Sequence, residues 1–335
     1  MNPKDTNITV LGDGGWGTAL SLVLAGKGYS VRLWGAFPEY VAEVAKKREN
    51  KKFLPGFKLP KAIRPTADLA SALEASRVIV LAAPSQYMRP VLKKVRQENI
   101  RGKSFVSVAK GIEVGSLKVM SGVIGEELGP VRLGVVSGPS IALEVAKKMP
   151  VAVSAASHDA KFASEIRESF STDYFSLSES SYVLGVELGG SIKNVIAISA
   201  GIVEGLGFAS NTRAALFARG IAEMARLGEV MGANRETFMG LSGLGDLATT
   251  CLSRHSRNRW LGEEVGKGRK LKSILSKTEM VVEGVDTSRS AYELSKKYKV
   301  SMPITEAVYK ILFQSKNPKE TIKALMHSGF HRELD

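Results

Sequence analysis

The sequence predicts an α/β domain built on a doubly wound sheet, followed by an all-α C-terminal domain. Short apolar segments alternate with helical segments through the first half of the chain, and only helical spacing remains from about residue 186 onward. The chain has 335 residues, more than one typical core holds. We therefore place two domains, at residues 1–185 and 186–335.

The predicted sheet consists of short apolar runs that end at turn residues. Strands are expected at residues 8–11, 30–34, 78–83, 104–108 and 133–136, with helices at 18–28 and 39–47. Because helices separate these strands, we expect a parallel sheet that is covered on both faces. In the second half, apolar spacing predicts helices at residues 188–200, 212–231, 305–313 and 321–326.

Composition is that of an ordinary globular protein, with 44% hydrophobic and 24% charged residues. We find no apolar run long enough to cross a bilayer, and residues 1–6 lack the layout of a signal peptide. Cys251 is the only cysteine, which excludes an intrachain disulfide. Together these features predict a cytoplasmic protein without an integral membrane segment.

The chain is strongly basic, with a formal net charge of +14. Such a charge attracts nucleic acid, a membrane surface or anionic small molecules. The cations are scattered and no nucleic-acid motif is present, so we expect an anionic small molecule and no nucleic-acid partner. We also expect no metal site, because the four histidines show no ligand spacing; they are His158, His255, His327 and His331.

A glycine turn follows the first predicted strand and opens the first predicted helix. Its glycines, Gly12, Gly14 and Gly17, have the spacing Gly-x-Gly-x-x-Gly. In a Rossmann-like domain, the first permits a tight turn, the second lets the backbone approach a pyrophosphate, and the third allows close helix–strand packing. The helix N-terminus then presents N–H groups to the phosphates. The turn therefore predicts dinucleotide binding.

Two features of this region depart from the simplest NAD site. Asp13 places a carboxylate in the phosphate-binding turn, which is unfavourable unless the side chain points away. The acid that binds the NAD ribose is missing after the second strand, where the chain reads Trp34-Gly35-Ala36-Phe37, and Glu39 comes only later. The missing acid slightly favours NADPH, or the use of both cofactors, over NADH alone.

Three later segments carry polar residues that packing does not require. Lys193 and Asn194 interrupt an apolar helix, Asp246 follows a glycine-rich turn, and residues 256–259 read Ser-Arg-Asn-Arg at an expected helix start. A buried lysine, a carboxylate and guanidinium groups suit proton transfer and oxyanion binding. Their alternatives are a lysine that reaches solvent, an aspartate that caps a helix, and a solvated basic loop.

These segments, taken together, resemble the NAD(P)-dependent glycerol-3-phosphate dehydrogenases of the bacterial type. The matching stretches follow the family's order along nearly the whole chain, at residues 12–20, 84–85, 108–111, 137–140, 187–194, 241–246, 256–258, 281–284 and 302–306. The resemblance implies NAD(P)H-dependent, reversible reduction of dihydroxyacetone phosphate to sn-glycerol 3-phosphate, which supplies phospholipid synthesis. It also implies a Rossmann domain, a helical domain and a site in the cleft between them.

The resemblance also implies roles for individual residues. Lys193 would be the catalytic proton donor and acceptor. The substrate would be bound by Lys110, Gly138, Ser140, Lys193, Asp246, Ser256, Arg257 and Asn258. The cofactor would be bound by Gly12, Gly14, Gly15, Trp16, Gly17, Phe37, Lys110, Ala142, Arg257, Val281 and Glu283. The turn departs from the family pattern where Asp13 replaces alanine and Gly15 replaces serine, so the serine hydroxyl is absent.

Two other functions compete with this one. A related dehydrogenase of a β-hydroxyacid or a sugar nucleotide would share the glycine turn and a helical second domain. A non-catalytic protein that senses a dinucleotide or binds nucleic acid would need neither Lys193 nor Asp246. The combination of Lys193, Asp246 and residues 256–258 favours the phosphorylated substrate over both. A homodimer is the expected assembly, because dimers are the commonest oligomers.

Overall fold

A computed structural model describes residues 6–328, which form two compact units. The first unit comprises the described residues up to Ala109 together with Met120–Val183. The second comprises Lys110–Val119 together with the described residues from Leu184 onward. The domain division between residues 185 and 186 stays a prediction. The sequence did not indicate that the segment 110–119 packs with the second unit.

The first unit is built on an eight-stranded sheet in the order β3-β2-β1-β4-β5-β6-β7-β8. Neighbouring strands run parallel except β6 and β7, which are antiparallel. The five strands expected from the sequence are β1, β2, β4, β5 and β6, and they run parallel as predicted; β7 was not among them. The strands are β1 Asn7–Leu11, β2 Ser30–Trp34, β3 Ile63–Thr66, β4 Val78–Leu81, β5 Ser104–Ser107, β6 Arg132–Ser137, β7 Val151–Ala156 and β8 Phe175–Ser180.

Helices cover both faces of this sheet, because alternate strand residues enter two different apolar clusters. Val10 and Val80 belong to one cluster, whereas Leu11 and Leu81 belong to the other. The helices are α1 Gly15–Gly26, α2 Pro38–Lys47, α3 Leu69–Glu74, α4 Ser85–Val95, α5 Met120–Leu128, α6 Ala142–Ala146 and α7 Ala160–Phe170. The strand order reverses between β1 and β4, and the carboxyl edge at such a point is where ligands bind.

The second unit is built from helices, which confirms the predicted all-α C-terminal part. Its α-helices are α8 Val183–Gly205, α9 Ser210–Val230, α10 Asp246–Leu252, α11 Arg257–Gly266, α12 Leu271–Leu275, α13 Glu283–Tyr298, α14 Pro303–Phe313 and α15 Pro318–Ser328. A 3₁₀ turn at Arg235–Met239 and a π-helical turn at Leu241–Gly245 precede α10. Its apolar core includes Ile192, Ile196 and Leu216, all fully buried.

Helix α8 is long and apolar enough to cross a bilayer by length and composition, with a mean hydropathy of 1.4 in its most apolar window. The expectation that the chain has no such run is therefore wrong. That window is 100% buried inside the protein, however, as in the central helix of a globular core. Burial of α8 by protein explains its apolar composition without a membrane.

A buried carboxylate caps helix α14. Glu223 on α9 is fully buried and accepts hydrogen bonds from the N–H of Ile304 and from both the N–H and the hydroxyl of Thr305. These are first-turn N–H groups, which have no partner within their own helix. Burial raises the pKa of Glu223 to about 7, against the opposing effect of these hydrogen bonds. The cap joins α9 to α14 within the second unit.

Candidate active site

The glycine turn lies at the carboxyl end of β1 and has the geometry that its spacing predicts. Gly12 has φ +124°, and a Cβ there would lie 2.6 Å from the Ala82 carbonyl carbon. A Cβ on Gly17 would lie 2.0 Å from the Gly12 carbonyl oxygen. Helix α1 begins at Gly15, three residues before the predicted start, and Gly14 caps it without a side-chain bond. The turn therefore presents a helix N-terminus at the sheet edge.

The groups around this turn fit a dinucleotide. The position of a Cβ on Gly14 has no heavy atom within 4 Å, so the backbone is open to close approach. The Trp16 Nε1 is buried, and no acceptor for it exists among residues 6–328. Its ring packs against Phe175 with centroids 6.3 Å apart. Open backbone at Gly14 and a buried donor without a protein acceptor fit the phosphates and polar groups of a dinucleotide.

Gly15, where the resembling family has serine, is tightly packed. A Cβ at this position would lie 2.7 Å from the Phe53 carbonyl oxygen and 3.9 Å from the Ala142 Cβ. The loop that contains Phe53 therefore occupies the space that a serine side chain would need. Ala142, predicted to contact the cofactor, is the first residue of α6 and lies beside the turn.

Asn50 holds the turn in place, although no sequence pattern identified it. Its Nδ2 donates to the Asp13 carbonyl oxygen at 2.6 Å and to the Thr18 hydroxyl at 2.7 Å. The Tyr40 hydroxyl donates to Asn50 Oδ1 at 2.6 Å, and the Asn50 residue is fully buried. The only sequence signal is an asparagine in a loop, and its partner lies 37 positions away.

The Asp13 side chain turns towards the end of β2. A Cβ added to Gly35 would lie 2.4 Å from Asp13 Oδ2. This oxygen is buried and has no hydrogen-bond donor among the described residues. Burial raises the pKa of Asp13 against the opposing effect of its own backbone N–H and of Lys52. Phe37, a predicted cofactor contact, is the N-cap residue that precedes α2 and is 72% exposed.

Gly138 and Ser140 follow β6 at the same carboxyl edge as the glycine turn, because β1, β4, β5 and β6 run parallel. Gly138 has φ +146°, and a Cβ there would lie 2.9 Å from the Val153 Cα. The Ser140 hydroxyl donates to the Gly138 carbonyl oxygen at 2.8 Å. These two residues form a turn that an L side chain at position 138 would disturb.

In the second unit, two lysines share one carboxylate. Lys193 Nζ lies 2.8 Å from Asp246 Oδ1, and Lys110 Nζ lies 2.6 Å from Asp246 Oδ2. Lys193 also donates to the Thr250 hydroxyl at 2.6 Å. Lys193 and Asp246 are buried, so the alternative of a lysine that reaches solvent does not apply. We call Lys110, Lys193, Asp246 and Thr250 the lysine–aspartate cluster.

Close packing between α8 and the π-helical turn at Leu241–Gly245 brings this cluster together. A Cβ on Gly189 would lie 2.6 Å from the Ser242 carbonyl oxygen, so only glycine permits this approach. Asp246 is the first residue of α10 and does not cap it; the carboxylate binds lysines instead. Thr250 lies four residues after Asp246, one turn further along α10. Helical spacing from Asp246 could therefore have identified it.

The cluster carries more positive than negative charge. The pKa of Lys110 is lowered to about 8, chiefly by burial and also by the charge of Lys193, whereas Asp246 opposes the shift. The side chain of Lys110 is 17% exposed, against 7% for Lys193 and 2% for Asp246. Lys110 is therefore the member of the cluster most open to a ligand, and the cluster combines two lysine side chains with one aspartate.

Helix α11 begins at the predicted oxyanion-binding segment. Ser256 caps it by accepting from the N–H of Arg259. Arg257 is exposed and donates to the carbonyl oxygen of Val281, one of the predicted cofactor contacts, at 2.6 Å. Glu283 opens helix α13, two residues further along the chain. The sequence grouped Arg259 with the anion-binding residues, but its guanidinium turns inward to Glu204.

Asn258 links three helices of the second unit. Its Nδ2 donates to Asn194 Oδ1 at 2.8 Å, and its Oδ1 accepts from the N–H of Gly284 at 2.9 Å. Asn194 and Lys193 are neighbours on α8, so this network fixes the helix that carries the lysine. Within residues 6–328, no group of three or more His, Cys, Asp or Glu residues could hold a metal ion. His331 lies outside the described residues.

Two family models match the chain. The model for the N-terminus of NAD-dependent glycerol-3-phosphate dehydrogenase matches residues 7–163, and the model for its C-terminus matches residues 183–323. The glycerol-3-phosphate dehydrogenase [NAD(P)+] of Geobacillus kaustophilus is 48% identical over 98% of this chain and 96% of its own length. That of Citrifermentans bemidjiense is 49% identical over 97% and 98%.

Solved structures agree with these matches. The crystal structure of glycerol-3-phosphate dehydrogenase from Coxiella burnetii superposes with a TM-score of 0.94 at 37% sequence identity. The match covers 97% of this chain and 100% of that one. Both units therefore have counterparts in a chain of nearly the same extent.

Proposed function

Since the chain belongs to the family of NAD-dependent glycerol-3-phosphate dehydrogenases, we propose that it catalyses the NAD(P)H-dependent, reversible reduction of dihydroxyacetone phosphate to sn-glycerol 3-phosphate. The observation that carries this proposal is the lysine–aspartate cluster. It is a buried ammonium group, held by a carboxylate and a hydroxyl, beside a second cation. Such a group suits a reaction in which a carbonyl oxygen acquires negative charge and then a proton.

In this proposal, Lys193 is the catalytic residue. When bound, the reduced nicotinamide supplies a hydride to the substrate's carbonyl carbon. The Lys193 ammonium stabilises the alkoxide that develops on the carbonyl oxygen and gives it a proton, and in the reverse direction it receives that proton. Asp246 and Thr250 hold the ammonium in one orientation. Proton transfer from a positioned group of this kind contributes about 10²–10⁴-fold in rate.

The remaining proposed substrate residues bind the phosphorylated ketone. Arg257, at the N-terminus of α11, presents a planar donor group, and Ser256 and Asn258 flank it. Lys110 adds a second positive charge beside Lys193. Gly138 and Ser140 contribute the turn after β6. We propose that these residues recognise the phosphate and the hydroxyl group of the substrate.

The proposed cofactor residues divide between two places. In the first unit, Gly12, Gly14, Gly15, Trp16, Gly17, Phe37 and Ala142 lie at the carboxyl edge of the sheet. The N–H groups of the glycine turn would bind the pyrophosphate. In the second unit, we assign Lys110, Arg257, Val281 and Glu283 to the cofactor, and Arg257 already contacts Val281. We further propose a cytoplasmic homodimer that supplies glycerophospholipid synthesis.

The test is the oxidation of NADH or NADPH by dihydroxyacetone phosphate, followed by the loss of the cofactor's absorbance. We expect turnover with the wild-type chain, and loss of turnover in Lys193→Met while the reduced cofactor still binds. Lys272→Met, at an exposed position on α12, is the matched control and should retain full activity. A Lys193→Met variant with near wild-type kcat would overturn the role of Lys193.

The same assay separates the competing functions. The relatives that match over nearly the full chain are glycerol-3-phosphate dehydrogenases, so a dehydrogenase of a β-hydroxyacid or sugar nucleotide is not favoured. Turnover of such a substrate without turnover of dihydroxyacetone phosphate would reverse that conclusion. A nucleic-acid-binding protein would instead bind DNA with a steep dependence on salt.

A further inference from the structure

Selectivity between NADH and NADPH in a Rossmann-like domain depends on the end of the second strand. An acid there accepts hydrogen bonds from the ribose hydroxyls of NAD and repels the 2′-phosphate of NADP. In this chain, Gly35, Ala36 and Phe37 follow β2, and none of them is acidic. By sequence order alone, the site lacks its selecting acid.

The structure brings an acid to this place from the neighbouring turn. The Gly12 N–H donates to the Trp34 carbonyl oxygen at 3.0 Å, so the glycine turn and the end of β2 are adjacent. A Cβ added to Gly35 would lie 2.4 Å from Asp13 Oδ2 and 2.6 Å from Asp13 Cγ. The Asp13 carboxylate thus fills the space that a side chain at position 35 would occupy.

We propose that the Asp13 carboxylate replaces the missing acid after β2 and makes this chain select NADH over NADPH. The proposal rests on the proposed function, because it concerns the same cofactor. It goes beyond the family pattern, which has alanine at this position of the turn. It also reverses the preference for NADPH that we drew from the sequence, since that preference depended on the absence of an acid after β2.

The surroundings of Asp13 leave its carboxyl group able to accept a hydrogen bond and fix the turn that carries it. One carboxyl oxygen is buried and has no donor among residues 6–328, and burial raises the pKa of the group, so a hydrogen-bond donor on a ligand would stabilise its charged form. Asn50 fixes the Asp13 backbone by donating to its carbonyl oxygen at 2.6 Å. A ribose diol brings hydroxyl donors to such a carboxylate, whereas a 2′-phosphate brings a second negative charge.

Lys52 is the opposing group in the same region. Its ammonium lies 5.3 Å from the centroid of the Phe53 ring, and its charge acts on Asp13. A cation here would favour a 2′-phosphate. Lys52 is exposed, however, and water and salt screen an exposed charge much more than a buried one. The buried carboxylate therefore dominates the preference.

The experiment measures cofactor binding by the full chain, without substrate. Calorimetric titrations with NADH and NADPH are repeated with ADP-ribose and its 2′-phosphorylated form, which lack the nicotinamide. We expect wild type to bind each unphosphorylated ligand at least about ten-fold more tightly than its 2′-phosphorylated counterpart. In Asp13→Asn, the ratio of the two dissociation constants should fall about ten-fold.

Glu39→Gln is the matched control, because Glu39 is an exposed acid in the first turn of α2, just after β2. It should leave the ratio within about two-fold of wild type. Asp13→Ala is a second variant in case the amide disturbs the turn, and a thermal melt checks that each variant is folded. Lys52→Ala should change the ratio less than Asp13→Asn does.

The outcomes separate the two proposals. If the wild type binds NADPH as tightly as NADH, the proposed role of Asp13 is overturned. An equal loss of affinity for both cofactors in Asp13→Asn also overturns it, because that result would show that Asp13 only shapes the turn. A ratio that moves in Glu39→Gln but not at position 13 assigns selection to Glu39 instead. Failure to bind either dinucleotide would count against the proposed function itself.

Discussion

Lys110 and Lys193 both contact the buried carboxylate of Asp246. Two lysines thus share one aspartate, and this imbalance of charge is central to the chemistry of the site. Removing a buried ion's partner leaves an uncompensated charge, which is strongly unfavourable. An incoming anion compensates the second ammonium without displacing Asp246. We therefore expect an anionic substrate to bind beside Lys110 with Asp246 still in place.

The lowered pKa of Lys110 predicts a pH dependence. Its pKa is about 8, so the side chain loses its proton as pH rises through that value. We expect kcat/KM for dihydroxyacetone phosphate to fall above about pH 8, because the neutral amine no longer attracts the anion. Lys110→Arg stays charged throughout this range and should remove the fall, although its absolute activity will differ. A pH–rate profile of both proteins tests this, and identical profiles would contradict it.

Arg257 predicts a difference between substrates. Its guanidinium is exposed at the start of α11, where it would contact the phosphate. Arg257→Ala should raise KM for dihydroxyacetone phosphate by about ten-fold or more, since a hydrogen bond to a charged group is worth about 1.5–3 kcal/mol. The dissociation constant of NADH should rise much less. Comparable losses for substrate and cofactor would refute the assignment to the phosphate.

At the scale of elements, the Glu223 cap predicts a stability that depends on pH. Its pKa is about 7 in the folded chain and 4.5 ordinarily, so the folded chain keeps a proton that the unfolded chain releases between these values. The contribution of this carboxyl to the free energy of unfolding therefore falls as pH rises from about 4.5 to about 7.

Two substitutions measure this contribution. Glu223→Ala should lower the free energy of unfolding by about 2 kcal/mol or more, because it leaves buried N–H groups at the start of α14 without an acceptor. Glu223→Gln should remove the decline between pH 5 and pH 7 that the wild type shows in urea titrations. Glu229→Gln, at an exposed position on the same helix, should keep that decline. A decline that persists in Glu223→Gln would assign it to other groups.

The elements that the sequence predicted are those with strong local patterns. β4 is four consecutive buried aliphatic residues, and α9 has apolar positions at regular helical spacing, so both were foreseen. β3 was not, because it contains Arg64 and Pro65, only its first residue is buried, and its identity as a strand depends on pairing with β2. β8 reads Phe-Ser-Leu-Ser-Glu-Ser, and its identity as a strand depends on β7, which precedes it by a whole helix.

The site follows the same rule. Lys193 and Asp246 were identifiable because each is out of place locally, one in an apolar helix and one after glycines. Asn50 was not, because nothing around it indicates that its amide reaches the glycine turn. The orientation of Asp13 also could not be foreseen, since it depends on the absence of a side chain at Gly35.

At the scale of the whole molecule, the net charge of +14 predicts an effect of salt on catalysis. Both the substrate and the cofactor are anions, and a positive protein attracts them over distances up to the Debye length. That length falls from about 30 Å at 0.01 M ionic strength to about 8 Å at 0.15 M. We expect kcat/KM for dihydroxyacetone phosphate to fall over this range, with kcat nearly constant. A salt effect on kcat alone would argue against attraction.

The second unit is discontinuous in sequence, because the segment 110–119 belongs to it while the chain on either side belongs to the first unit. Ile112 is fully buried in the second unit's core, and its carbonyl oxygen accepts from the Ser290 hydroxyl at 3.1 Å. On the ribosome, this segment emerges long before the helices that bury it. Recombination between related genes at residue 184 would combine Lys110 of one parent with Asp246 of the other. We therefore expect such chimaeras to be less stable than either parent, although the protein has two cores.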